Sequence, residues 1–102
     1  MINKIKSYLG FAKKSNEIIY GFDNLNTTKK NIKLILYSDS ISEKSLKNLR
    51  YLANEKKWKM AKLIKTSLDE LLNTSNCKIV GIINENLAKA ILKQKDFVQL
   101  NV

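Results

Sequence analysis

Histidine is absent from the 102 residues, and Cys77 is the sole cysteine. Without histidine, the Ser–His and Cys–His pairs that activate many nucleophiles cannot be built. One cysteine cannot form a disulfide within the chain, and too few ligands remain for a zinc site. Cys77 lies just before an apolar run, so we expect a buried or half-buried inert thiol in preference to a reactive one.

Proline is also absent and glycine occurs three times, so no segment has the composition of a flexible linker. Hydrophobic residues make up 44% of the chain, which is enough for a packed core. The length suits one domain over residues 1–102. No apolar run approaches the roughly 20 residues of a membrane span, and lysines interrupt the first apolar residues, unlike a signal peptide. We therefore expect a cytoplasmic protein that does not contact membranes.

Acidic residues are scarce relative to basic ones. Nine Asp and Glu stand against nineteen Lys and Arg, a net charge of +10, and eighteen of the nineteen are Lys. An AT-rich genome accounts for the preference for Lys over Arg, but it does not account for the shortage of acids. The positive potential of such a chain favours polyanionic partners, above all nucleic acid.

Apolar residues alternate between helical and strand periodicities along the chain. A helical spacing at the start is followed by short apolar runs at 18–20, 34–37, 60–64 and 79–83, and by alternation at 98–102. Ser40 and Ser67 each begin a capping-box pattern, and Asn84 can cap a further helix. Gly81, inside an apolar run, suggests a close backbone approach. The alternation predicts an α/β domain with helices on both faces of the sheet.

The chain contains neither a Walker A sequence nor a G-x-G-x-x-G motif. Its adjacent acids Asp69 and Glu70 fall in the first turn of a predicted helix, where they complement the helix dipole. No lysine is singled out as a base or a Schiff-base former. We therefore expect no catalytic residue, no metal, no cofactor and no enzymatic activity.

Small polar side chains collect after the predicted strands, at residues 20–24, 38–40, 64–67 and 84–86. Ligands of open α/β sheets bind beyond the carboxyl ends of parallel strands. We therefore expect these four segments to meet at one edge, together with helix N-termini whose free N–H groups can bind phosphate. Ser40 and Ser67 are better explained as ordinary helix caps.

Several segments in sequence order match a known family. They are residues 9–15 (LGFAKKS), 19–21 (IYG), 33–39 (KLILYSD) and 78–83 (KIVGII). The first is similar to the "LGLAKRAG" opening of the kink-turn-binding ribosomal-protein superfamily, typified by archaeal large-subunit ribosomal protein seven-Ae. The chain resembles most closely its small bacterial YlxQ-like branch. The resemblance extends over nearly the whole chain.

This resemblance implies a single-domain three-layer α/β/α sandwich around a small mixed sheet, and recognition of sharply bent RNA. Gly21 matches the glycine of the family's Gly-x-Asn-Glu-x-x-Lys segment, while Asp23, Asn24 and Thr27 depart from its other three residues. Lys29 or Lys30 would replace the missing lysine. The loop at residues 64–67 would cover an extruded nucleotide. The predicted RNA-binding residues are Lys13, Lys14, Asn16, Gly21, Phe22, Asp23, Asn24, Thr27, Ile64, Lys65 and Thr66.

The sequence therefore predicts a monomeric, non-enzymatic protein that binds structured RNA, either a kink-turn or ribosomal RNA, with the ribosome as a candidate partner. Lys14 and Lys65 would supply charge, Gly21 would allow close backbone approach, and Asn24 would read base edges. Two alternatives stay open. The chain could be a ribosome-assembly or protein-interaction module without RNA affinity of its own, or it could deliver RNA to a separate RNA-modifying enzyme.

Overall fold

The computed structural model describes residues 4–101, in which five helices alternate with five strands. In chain order they are α1 (Lys4–Lys14), β1 (Ile18–Tyr20), α2 (Phe22–Thr27), β2 (Leu34–Ser38), α3 (Glu43–Lys56), β3 (Met60–Leu63), α4 (Leu68–Leu72), β4 (Ile79–Ile82), α5 (Glu85–Leu92) and β5 (Val98–Asn101). The predicted alternation is confirmed. None of these helices has the length and hydrophobicity of a membrane-spanning helix.

The strands form one mixed sheet in the order β1-β4-β2-β3-β5. Only β2 and β3 pair in parallel, with Ile35 opposite Met60. Strand β4 runs antiparallel to both of its neighbours, β1 and β2. Strand β5 pairs antiparallel with β3 and forms an outer strand. Because β4 opposes β1 and β2, the strands β1, β2 and β3 all run in the same direction.

Each face of the sheet is covered by helices, as expected for a three-layer α/β/α sandwich. All five residues of β2 are buried, because alternate side chains enter one core or the other. Helices α1, α4 and α5 pack on the face that includes Leu34 and Leu36. Helices α2 and α3 pack on the face that includes Ile35 and Tyr37. The predicted fold class is therefore confirmed.

Gly81 lies in the middle of β4, on the face that α2 covers. A Cβ atom at this position would lie 2.6 Å from Leu25 Cδ2 and 3.2 Å from Ile32 Cδ1. Real Cβ atoms do not approach other atoms as closely as 2.6 Å, so with any larger residue here the buried side chain of Leu25 would have to shift. The close approach expected from the sequence is confirmed, and the side chains of Leu25 and Ile32 make it.

Two of the three predicted helix caps are confirmed. Ser67 Oγ accepts a hydrogen bond from Glu70 N at 3.2 Å, and Asn84 Oδ1 accepts one from Leu87 N at 3.0 Å. Ser40 as a cap is wrong, because α3 begins two residues later with Ser42 as its N-cap. The delay arises from a turn, in which Ile41 N donates to Ser38 O.

The alternation at residues 98–102 is typical of a half-buried edge strand, and this strand is present as β5. Val98 is buried against α5 and β3, but Leu100 is 45% exposed. The inward burial predicted from the alternation therefore holds for Val98 and not for Leu100. Val102, the third apolar residue of the pattern, lies outside the described residues.

Candidate nucleic-acid interface

The shared direction of β1, β2 and β3 gives the sheet two distinct edges. We call the edge where these three strands end the carboxyl edge, and the edge where they begin the amino edge. The carboxyl edge holds residues 21–23, 39–42 and 64–67, the turn at 73–78 that leads into β4, and residues 93–97 before β5. The amino edge holds residues 15–17, 28–33, 57–59 and 83–84.

Two groups of predicted RNA-binding residues lie at the carboxyl edge. The first group begins α2 directly after β1, and the second follows β3. Strands β4 and β2 separate β1 from β3, so three strand spacings, about 14 Å in all, lie between the groups. Thr27 lies at the far end of α2. The residues at the carboxyl edge are Gly21, Phe22, Asp23, Asn24, Ile64, Lys65 and Thr66.

The remaining predicted residues lie at the opposite edge. Lys13 and Lys14 end α1, and Asn16 belongs to the turn that leads into β1. The three-residue strand β1 separates this turn from Gly21 by about 10 Å. The fold therefore does not bring Lys13, Lys14 and Asn16 together with the carboxyl-edge group.

Residues 84–86 were expected at the carboxyl edge, and this expectation is wrong. Strand β4 runs antiparallel to β1 and β2, so the segment after it emerges at the amino edge. There Asn84 Nδ2 donates to Glu17 Oε2 at 3.2 Å, which ties the end of β4 to the start of β1. Asn84 therefore acts as a helix cap and a link between strands.

Gly21 exposes its backbone at the start of α2. Its φ of 81° and ψ of 159° belong to a region that residues with a Cβ rarely adopt. No heavy atom lies within 4 Å of the place where a Cβ would stand. The Gly21 N–H donates to Ile79 O at 3.0 Å, which fixes the turn against β4. An RNA backbone could therefore approach this turn closely.

Two polar side chains of α2 donate hydrogen bonds to backbone carbonyl groups four residues earlier. Asn24 Nδ2 donates to Tyr20 O at 2.8 Å, and Thr27 Oγ1 donates to Asp23 O at 3.1 Å. Both side chains are exposed. The Asn24 amide group therefore links the start of α2 to the end of β1.

The loop after β3 has a fixed conformation. Lys65 has a left-handed φ of 65°, and Thr66 Oγ1 donates to Glu70 Oε2 at 3.2 Å. Buried Ser38 Oγ, at the end of β2, accepts a hydrogen bond from Leu68 N at 3.0 Å. This bond joins residues 30 positions apart and holds the start of α4 against the sheet. The Lys65 side chain is exposed beside the half-buried Ile64.

Asp69 accepts hydrogen bonds at the carboxyl edge and stays ionised. The N–H of Cys77 donates to Asp69 Oδ1 at 2.7 Å, and this bond holds the pKa of Asp69 below its ordinary value of 3.8. Thr74 Oγ1 donates to the same oxygen at 2.9 Å. Burial, followed by the nearby Asp69 charge, raises the pKa of the Cys77 thiol. The thiol is half-buried and protonated at neutral pH, in line with an inert cysteine.

Charge divides unequally between the two edges. Among the described residues, each edge comprises its connecting segments and the helix turns that flank them. The carboxyl edge then holds seven lysines and six acids, whereas the amino edge holds eight lysines and three acids. The carboxyl-edge acids are Asp23, Asp39, Glu43, Asp69, Glu70 and Asp96. The amino-edge lysines are Lys13, Lys14, Lys29, Lys30, Lys33, Lys56, Lys57 and Lys59.

A groove of about 260 Å³ lies at the amino edge, where Lys33, Lys57, Lys59 and Lys89 line it together with Glu85. Within residues 4–101 the one ion pair joins Lys62 to Asp39 at 3.6 Å, so no carboxylate pairs closely with these lysines. Sequence reasoning missed this cluster. Lysines directly before β2 and β3 were the available signal, but their common edge became visible only with the strand directions.

No grouping of three His, Cys, Asp or Glu side chains suited to a metal ion occurs among the described residues. No family model matches the chain, and no curated protein matches it. A solved protein with unknown function from Bacillus halodurans C is similar, with a TM-score of 0.78. The match covers 91% of this chain and 97% of that one at 14% sequence identity. At this identity the likeness shows the fold alone.

Proposed function

We propose that this protein binds structured RNA in the cytoplasm, as a monomer and without catalysing a reaction. The observation that carries this proposal is the excess of lysine at the amino edge, where eight lysines face three acids. Unpaired ammonium groups on several separate segments suit a backbone of regularly spaced phosphates. Their contact with RNA releases bound counterions, which favours binding.

The carboxyl edge would supply the shape recognition in this proposal. The space where a Gly21 side chain would stand is open, and the Asn24 and Lys65 side chains are exposed. Irregular RNA exposes base edges and 2′-hydroxyl groups that regular A-form helices present poorly. A protein that contacts a kink at one edge and the flanking phosphates at the other would bind the bent RNA better than the extended form. It would thereby shift the population toward the bent form.

A kink-turn is the bent RNA that the family resemblance favours. Electrostatic attraction of RNA to the carboxyl edge would be weak. Asp23 lies close to the expected contact surface, and the positive and negative charges at this edge nearly balance. Recognition at this edge would therefore depend on hydrogen bonds and shape, while most of the affinity would come from the amino edge.

Gel-shift titration of a kink-forming RNA and a straight duplex of equal length tests this division of roles. We expect the double change Lys33→Glu with Lys59→Glu to weaken binding of both RNAs. The slope of log affinity against log salt concentration should become less steep by about one unit for each phosphate that the variant no longer neutralises. We expect Asn24→Ala to reduce only the preference for the kinked RNA. Lys44→Glu with Lys95→Glu, which reverses two exposed lysines outside the amino edge, is the charge-matched control.

Three outcomes would contradict the proposal. The wild-type protein could bind neither RNA, which would remove the function itself. It could bind both RNAs equally with a steep salt dependence, which would leave charge attraction without kink recognition. Finally, the double change at Lys33 and Lys59 could leave the affinity intact, which would exclude the amino edge as the phosphate-binding surface.

A protein-interaction or ribosome-assembly module is the second candidate, and the acids of the carboxyl edge favour it. Asp23 and Asp39 are exposed there beside the open backbone of Gly21, a combination that suits a basic protein segment as well as RNA. Loss of RNA binding in the wild type, together with binding to ribosomal particles treated with ribonuclease, would support this candidate.

A further inference from the structure

A groove of about 630 Å³ lies along one flank of α3 and reaches the amino edge at Trp58. We call it the aromatic groove, and the lining residues that matter here are Lys47, Arg50, Tyr51, Asn54 and Trp58. Its volume falls within the range of roughly 300–1,000 Å³ that is common for ligand sites. No Asp or Glu lines it.

The sequence of α3 places these side chains on one flank. Lys47, Arg50, Tyr51 and Asn54 have the spacing i, i+3, i+4, i+7, which aligns them along a helix. Lys57 then adopts a left-handed conformation that ends the helix, and Trp58 N donates to Ala53 O at 2.8 Å. This C-terminal motif folds Trp58 back beside the last turn of α3.

Aromatic surface is exposed in this groove to an unusual degree. Tyr51 is 74% exposed, although it belongs to a helix whose Leu49 and Leu52 are buried. Trp58 is half-buried, because it packs against the core on the α2 and α3 face of the sheet and also lines the groove. A partner that buried these rings would remove apolar surface from water, so the groove offers a partner two aromatic surfaces.

Cations flank the aromatic side chains. Arg50 is the single arginine of the chain, and Lys47 lies one helical turn before it. Within the described part of the chain, neither has a carboxylate within 4 Å. An arginine guanidinium group can stack on a flat ring and also bind phosphate, which lysine does less well. The Asn48 and Asn54 amides add hydrogen-bonding groups on the same flank.

One end of the groove borders the basic amino edge. Trp58 stands between Lys57 and Lys59, both of which line the lysine groove at that edge. A strand whose phosphates follow the amino-edge lysines would therefore pass directly beside Trp58 and Tyr51. Rings for stacking next to cations for the backbone are the combination that single-stranded nucleic acids require.

We propose that the aromatic groove binds unpaired nucleobases of RNA, with Tyr51 and Trp58 as stacking surfaces and Lys47 and Arg50 as phosphate contacts. The inference rests on the proposed function for its class of partner, and it adds a second site that takes single-stranded RNA. The bound RNA would combine a structured element with an adjacent unpaired segment.

Trp58 is the sole tryptophan, so its fluorescence reports directly on the groove. We expect an oligouridine of about eight nucleotides to quench this fluorescence, whereas inorganic polyphosphate, which carries charge without bases, binds without comparable quenching. Tyr51→Ala should weaken oligouridine binding about 5- to 150-fold, as expected for the loss of one stacked base. Tyr51→Phe should retain binding, because the stacking ring remains.

Matched controls separate the groove from general effects. Phe11→Ala removes another exposed aromatic ring, 58% exposed and located on α1, so oligouridine affinity should not change. Lys44→Ala removes a lysine of α3 that does not line the groove, and it should have less effect than Lys47→Ala. Because Tyr51, Phe11 and Lys44 are exposed, their variants should fold normally.

The inference is overturned if oligouridine fails to quench Trp58, if polyphosphate quenches it equally, or if Tyr51→Ala binds oligouridine as tightly as the wild type. If the wild-type protein binds kink-forming RNA in the gel-shift assay but oligouridine does not quench Trp58, only this inference is contradicted. A wild type that binds oligouridine through Tyr51 but no kinked RNA would remove the kink-binding proposal and leave the groove standing.

Discussion

Replacing Gly81 by alanine tests how closely α2 must pack against β4 to place the Gly21 turn. The new Cβ would stand 2.6 Å from Leu25 Cδ2 and 3.2 Å from Ile32 Cδ1, and both side chains are buried. Overpacking of this kind costs about 1–3 kcal/mol. Alanine regains about 0.5–1 kcal/mol by restricting the unfolded chain. We therefore expect Gly81→Ala to lower the free energy of unfolding by about 0.5–2 kcal/mol.

A double-mutant cycle with Leu25→Ala identifies the cause. Leu25→Ala alone should cost about 2–5 kcal/mol, because it leaves a cavity in the core. In that background the clashing Cδ2 atom is gone, and the methyl group introduced by Gly81→Ala partly fills the space. In the Leu25→Ala background, Gly81→Ala should therefore lower the free energy of unfolding little or raise it. The coupling energy between the two changes should be about 0.5–3 kcal/mol.

Urea unfolding followed by far-ultraviolet circular dichroism would measure these four stabilities. Gly10→Ala is the control, because a Cβ at this helical position meets no atom within 4 Å. We expect that variant to be more stable than the wild type by about 0.5–1 kcal/mol. If Gly81→Ala cost the same with and without Leu25, the contact between Leu25 and Gly81 would not control the packing of α2.

Three further predictions concern the carboxyl edge. Gly21→Ala should lower stability by about 1–3 kcal/mol in urea unfolding, because φ is 81° there, and a cost near zero would mean that the turn relaxes freely. Ser38→Ala should cost about 1–3 kcal/mol in the same assay, because the Leu68 N–H loses its buried acceptor; retained stability would show that another group replaces it. Because the pKa of Asp69 is lowered, its contribution to stability is complete above pH 3.8 and is lost as the pH falls through the lower folded value. Asp69→Asn should therefore flatten the acid side of the stability–pH profile, and an unchanged profile would exclude this role.

Periodicity was sufficient to predict the alternation of elements and the three-layer fold. The apolar run at β2 indicated a strand covered on both faces, and the structure buries all five of its residues. Gly81 in an apolar run indicated a close approach, which Leu25 provides. These features were predictable because they depend on local spacing and on the burial that the spacing imposes.

The direction of β4 could not be read from its own residues. A buried run such as Ile79–Ile82 has the same composition in either direction. The decisive signal was the length of α4. Its five residues span about 7.5 Å, so the helix is too short to carry the chain back to the amino edge, as a parallel β4 would require. The polar residues 73–78 instead return it to the carboxyl edge, so β4 begins there.

The unequal charge of the two edges could not be predicted from composition, for the same reason. Lysines occur near both ends of the strands in the sequence, and only the strand directions assign them to an edge. Lys14 and Lys65 were therefore predicted as one contact set although the fold places them at opposite edges. Tyr51 was missed because one exposed aromatic residue in a helix does not differ in sequence from a residue that packs.

Strand β1 joins the sheet through β4 alone, with Ile18 opposite Ile82. During synthesis, the residues up to Tyr20 therefore have no strand to pair with until Ile82 has left the ribosomal tunnel. Helix α1 and the turn at Gly21 can take up their final positions only after most of the chain has been translated. The two parts of the proposed RNA surface that flank β1 consequently form late, and a truncated or stalled product would lack them.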